Sequence, residues 1–135
     1  MKKNIVNLTI ILSILFITGC SGLGDYQIEL INGYRVISYS AHDQRIRSSE
    51  DTDYISIPSF DDAHKGECLE TVGHDGKTYI IGKTNLDLYY ILNSKKNIIY
   101  GPFNKAEFDK KKKDLNIPKS VKLKSLNEYD KDLIF

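Results

Sequence analysis

In DYQIELINGYRVISYS, residues 25–40, apolar and polar side chains alternate on both sides of Asn32-Gly33. A period of two places successive side chains on opposite faces of a strand. Asn-Gly supplies the two positive-φ positions that a tight hairpin turn needs. Together they restrict this stretch to an antiparallel hairpin. With Asn32 and Gly33 as a two-residue loop, Ile31 is expected opposite Tyr34, Leu30 opposite Arg35, Ile28 opposite Ile37 and Tyr26 opposite Tyr39. One face then carries Tyr26, Ile28, Leu30, Ile37 and Tyr39, and the other Gln27, Glu29 and Ser38. A slip of one residue would scatter that face.

The same reasoning applies at Asp75-Gly76, which joins Glu67 to His74 with Lys77 to Thr84 and sets Val72 against Tyr79, Thr71 against Ile80 and Glu70 against Ile81. Between the hairpins, DYISIP (53–58) reads as a short strand ended by Pro58. Ser48 to Asp53 and Ser59 to Gly66 read as polar loops. LYYILN, Leu88 to Asn93, is apolar almost throughout and lacks alternation, so it is expected centrally with both faces covered, paired with NIIYGPF (97–103) across Ser94 to Asn97.

The strand pattern stops at Asn104. As N-cap it places Glu107 at the third helical position for a capping box, and sets Phe103 and Phe108 as a hydrophobic staple. The helix is expected from Lys105 to about Leu115, with Asn116 at its end and Pro118 unable to continue it. Phe108 and Leu115 face inward, and most of the Lys110 to Lys113 run faces solvent. With 135 residues there is room for one ordinary domain. The fold expected is mainly β (α+β): an antiparallel sheet of hairpins over residues 25–123 with a short C-terminal helix at about 104–115, then a weakly ordered tail over 124–135, with a trailing edge strand around Val121 and Leu123 before it.

Residues 1–19 read as a signal peptide. Lys2 and Lys3 precede Ile5 to Ile17, where ten of thirteen side chains are large aliphatic or aromatic groups. As a helix this segment is about 20 Å long, short of a bilayer's ~30 Å hydrocarbon core. Ile17, Thr18, Gly19 and Cys20 follow: an aliphatic residue, two small ones and a thiol, in the order of a bacterial lipoprotein signal. Cleavage is expected between Gly19 and Cys20, and Cys20 is expected to carry a diacylglyceryl group with fatty chains such as palmitate. Two chains of buried methylenes suffice for stable anchoring. Residues 20–24 then form the lipidated cysteine and its tether, and Cys68 is left as a lone thiol, without an internal disulfide. Removing residues 1–19 leaves 17 basic against 18 acidic side chains, a balance that does not point to nucleic acid as a partner.

The runs GDYQIELINGYRVISYS, TYIIGKT and YYILNSKKNIIYGPFNKAEFDKKKKDLNIP resemble a family of small lipoproteins of low-GC Gram-positive bacteria whose function is uncharacterised. The resemblance covers Gly24 to about Leu123. It implies an envelope address and one domain, and transfers no catalytic residue.

Residues that carry chemistry elsewhere have plainer readings here. Cys68 and His74 lie six apart on one expected strand, some 20 Å in extended backbone, too far for a nucleophile–base pair. Neither His42 nor His64 belongs to a motif that favours pairing with Cys68, which is expected to be a small buried hydrophobe. Asp61, Asp62, His64 and Cys68 fall short of a closed zinc signature, so no metal and no cofactor is expected. His74-Asp75-Gly76 reads as turn chemistry. Glu107, Asp109 and Asp114 partly cancel the field of Lys110 to Lys113. Nine tyrosines supply amphipathic rings for a recognition face or a half-buried sheet.

The expectation is a lipid-anchored protein of the cell membrane facing outside the cytoplasm, non-catalytic, binding an envelope or extracellular partner. The alternatives are an inhibitor or protective protein against an extracellular enzyme or toxin, and then a small hydrolase or metal-dependent enzyme.

Overall fold

The structure is a computed structural model that describes residues 25–40, 42–48, 55–59 and 66–133. Residues 1–24 lie outside it, and with them Gly19 and Cys20, as do Asp61, Asp62 and His64. In chain order the described strands are β1 (Tyr26–Glu29), β2 (Tyr34–Ser38), β3 (Gln44–Ser48), β4 (Ser56–Ile57), β5 (Leu69–His74), β6 (Tyr79–Thr84), β7 (Tyr89–Asn93), β8 (Ile98–Phe103), β9 (Lys124–Ser125) and β10 (Asp132–Leu133). Helix α1 (Lys105–Asp114) follows β8, and a 3-10 turn at Leu126–Glu128 follows β9. The strands form two antiparallel five-stranded sheets, ordered β10-β1-β2-β3-β4 and β8-β7-β6-β5-β9. The expected mainly β fold with a single helix is what these residues build.

Three layers result. Ile28, Tyr34, Val36, Ile46 and Ile57 of the first sheet pack against Leu69, Val72, Ile80, Tyr90 and Leu92 of the second. On the second sheet's far side, Ile81 and Ile91 pack with Phe108 of α1 and with Ile117 and Val121 from the segment after it. β7 is an interior strand, between β8 and β6 and next to the border rather than at the centre, and it is buried from Tyr90 to Asn93 as its apolar run requires. The post-helix segment crosses β5 so closely that a methyl group on Gly73 would overlap the Lys122 carbonyl oxygen.

Both hairpins form, and both registers differ from expectation. Asn32 and Gly33 adopt φ 53 and 78, the tight turn their chemistry predicts. However, Leu30 N–H donates to Tyr34 O while Tyr34 N–H donates to Ile31 O, which leaves one extra residue on the first strand. Ile28 therefore faces Val36, not Ile37, and Tyr26 faces Ser38, not Tyr39. The inward set becomes Tyr34, Val36 and Ser38. The reason is tertiary. This register aligns Val36 with Ile46 and Ile46 with Ile57, a continuous apolar row across the sheet, whereas an inward Ile37 would bring Arg45 inward beside it.

At the second turn, Asp75 Oδ1 accepts from the N–H groups of Lys77, Thr78 and Tyr79 at 2.8, 2.7 and 3.0 Å. A carboxylate gathering three donors needs a wider loop than two residues. Val72 is accordingly opposite Gly82, and His74 opposite Ile80. β3 was not expected as a strand, because Gln44, Arg45 and Arg47 leave Ile46 as its one apolar side chain. The segment expected to be a loose tail from residue 124 instead adds β9 to the second sheet and β10 to the first. Leu126, 6% exposed, and Tyr129, whose hydroxyl donates to Val72 O at 2.7 Å, hold it down.

Candidate interaction surface

β8 borders the second sheet, with β7 on one side and no described strand on the other. The other borders are strands of two residues each, so β8, with six, is the long open edge. Its first residues project in opposite directions: Ile98 is 42% exposed and Ile99 39%. An unpaired strand edge offers backbone donors and acceptors to another extended chain. The edge is interrupted further along. Gly101, at φ 119, takes a conformation that L side chains rarely adopt, and Pro102 has no N–H to offer.

α1 is held beside this edge by its own sequence. Asn104 Oδ1 accepts from Glu107 N–H and Glu107 Oε2 accepts from Asn104 N–H, both at 2.9 Å: the expected capping box. Phe108, 2% exposed, packs its ring 4.8 Å from that of Tyr89. At the other end Ile117 N–H donates to Lys112 O and Asn116 N–H to Lys113 O, with Asn116 at φ 54, closing the helix as a Schellman motif. A groove of about 380 Å³ remains, lined by Pro102, Phe103, Glu107, Lys110, Lys111 and Asp114.

The lysine run divides. Lys110 and Lys113 are exposed. Lys111, which lines the groove, holds its ammonium 4.6 Å from the centre of the Tyr100 ring, a cation–π contact. Lys112 is structural: its ammonium donates to Val121 O at 3.1 Å beside the Phe108 ring, and burial lowers its pKa. A single basic stripe is thus not what the helix presents.

Of the residues weighed for catalysis, the structure describes Cys68, His74 and His42. Cys68 and His74 sit at opposite ends of the same strand region, and His74 Nδ1 accepts from Gly76 N–H at 3.1 Å, the turn role expected of it. His42 is exposed in the turn before β3. Cys68 is a free thiol, half-buried and not the fully buried hydrophobe expected. It lines a groove of about 470 Å³ with Tyr26, Gln44, Thr71 and Leu126, where the two sheets meet. Burial first and Glu70 second push its pKa up, which holds it neutral, the reverse of an activated thiol. Among the described residues no three His, Cys, Asp or Glu side chains gather as a metal site would require.

One polar pair carried no sequence signal. Glu67, 2% exposed, accepts from the Tyr90 hydroxyl at 3.0 Å, and burial together with this carboxylate raises the Tyr90 pKa. Glu67 lies at the entry to β5 in a polar stretch, and only the packing of the sheets encloses it.

A family model for a protein of unknown function, DUF3997, matches residues 31–127, nearly three-quarters of the sequence, and the chain belongs to that family. The match begins in the first hairpin and ends in the 3-10 turn, so it takes in β2 to β9 and α1 and leaves out β1 and β10 of the first sheet. No curated protein and no solved structure matches the chain.

Proposed function

We propose that this protein is a lipid-anchored binding module of the cell envelope, held by a diacylglyceryl group on Cys20 and engaging a protein partner outside the cytoplasm along β8 and the groove beside α1. The observation that carries the binding role is the open β8 edge, with Ile98 and Ile99 exposed at its start and, at its other end, a groove lined by Phe103 and by Lys111, whose ammonium also contacts the Tyr100 ring. Exposed aliphatic side chains, aromatic rings and a few charges are the composition of a protein-binding patch. The address is supported by the order of charge, apolar run, small residues and thiol in residues 1–20.

Each half has its own test. The intact mass of membrane-extracted protein should equal a chain beginning at Cys20 plus a diacylglyceryl thioether, and Cys20→Ser should abolish both changes. A photoreactive side chain at position 98 should cross-link a specific envelope protein in native membranes, and one at position 37, on the other sheet, should not. Equal labelling from both positions would remove β8 as the binding edge.

A further inference from the structure

The tether and the exposed apolar side chains select one end of the molecule. Residues 20–24 reach at most about 18 Å when fully extended, less than the ~30 Å width of a small domain. The end where Asp25 leads into β1 must therefore be the end held against the bilayer.

Among the described residues, three of the five exposed large apolar side chains lie there. Leu133, 62% exposed, pairs with Tyr26 at the start of β1. Tyr39, 50% exposed, follows Ser38, which pairs with Tyr26 from the other side. Leu86, 47% exposed, sits in the turn whose Asn85 N–H donates to Cys68 O, and Cys68 shares a groove with Tyr26. The other two, Ile98 and Ile99, open β8 at the opposite end. There Asn32 donates to Ser94 and Tyr34 to Asn97, which ties the first hairpin to the turn before β8. A cation accompanies a ring at the tethered end, Lys131 lying 4.3 Å from the Tyr26 centroid, while Arg47, whose backbone pairs with Arg35 further along the sheet, reaches to 5.0 Å from that of Tyr39. Tyrosines with long basic side chains suit the boundary between headgroups and acyl chains. Asp25, Asp43, Asp87 and Asp132 are also at this end, so attraction to anionic lipid is not what seats it.

We propose that Tyr39, Leu86 and Leu133 form a membrane-contact face that inserts shallowly into the outer leaflet and points the Ile98–Ile99 end of β8 away from it. The inference rests on the anchoring of Cys20. The covalent anchor supplies the high local concentration that lets a small apolar contact persist.

The chain has no tryptophan, so single tryptophans report position without background. The full-length protein, processed and lipidated by its host, is reconstituted into phosphatidylcholine vesicles with and without brominated acyl chains, as Tyr39→Trp, Leu86→Trp, Leu133→Trp or Ile98→Trp. Bromolipid should remove about half or more of the emission at 39, 86 and 133 and leave position 98 nearly unquenched, in low and high salt alike. Quenching at 98 as strong as at 133, no quenching at 39, 86 and 133, or quenching that disappears in high salt would overturn the proposal. Intact mass of the same samples separates the two claims. A protein without a diacylglyceryl group overturns anchor and orientation together, whereas a lipidated protein with the wrong quenching pattern overturns the orientation alone.

Discussion

β2 of the first sheet is buried at Tyr34, Val36 and Ser38 and half-exposed between them, whereas β7 of the second is buried at every position from Tyr90 to Asn93. The two sheets have equal strand numbers, but the second is the middle layer and the first an outer one. A sheet covered on one side selects alternating sequences; a sheet covered on both selects continuous apolar runs. The outward face of the first sheet accordingly holds polar pairs, such as Arg35 donating to Gln27 Oε1 at 2.9 Å, where the second sheet holds Ile81, Ile91 and Tyr89 under a helix.

The largest expected effect tests that difference directly. Phe108→Ala removes the ring that covers the second sheet's far face and should cost about 3–5 kcal/mol in chemical denaturation. Ile37→Ala, on the first sheet's outward face, should cost less than about 1 kcal/mol. Similar losses would mean that the first sheet also has a covering layer. Gly73→Ala comes next, because its methyl group meets the Lys122 backbone, and overpacking of this kind costs about 1–3 kcal/mol. Gly82→Ala faces the other layer, where its tight contacts are the side-chain ends of Leu69 at 3.0 Å and Ile46 at 3.3 Å and the Thr71 carbonyl oxygen is at an ordinary 3.8 Å, so it should cost less. A reversed order would mean that the post-helix segment yields more easily than the interface between the sheets.

Asn104→Ala should cost about 1 kcal/mol through loss of the cap acceptor, with the change confined to α1 in hydrogen exchange. The smallest effect is at Asp75. Burial pushes its pKa up, but the N–H groups of Thr78, Lys77 and Tyr79 outweigh burial and the net shift is downward. A carboxyl with a folded pKa below its unfolded value of about 3.9 stabilises the fold above that value and loses the contribution as pH falls through the folded pKa. Asp75→Asn should therefore flatten the acid limb of stability below about pH 4 and leave the other hairpin unaffected.

Elements with local signals were legible. The capping box at Asn104, the αL residue Asn116 and the turn at Asn32-Gly33 each depend on side chains within a few residues of one another, and all three form as read. β3 was not legible, because a lone Ile46 among polar residues is a strand only when Val36 and Ile57 flank it. The β8 edge was visible as a strand, but that it lies at a border depends on which strands do not pair with it. Cys68 lost its expected burial for a similar reason: it lies at a seam between sheets, where the groove with Tyr26 and Gln44 leaves it half-exposed.

From its residues alone this chain determines which stretches carry a strong strand pattern, where the backbone reverses, and where the described helix starts and stops, because each depends on interactions between near neighbours. Only the tertiary structure decided the registers, the division into two sheets and the docking of residues 124–133. Shifting a strand by one residue leaves its local hydrogen bonding almost unchanged but exchanges its buried and exposed faces. The row from Val36 through Ile46 to Ile57 therefore decided the first register, and the surfaces of both sheets decided where the chain's last described strands pair.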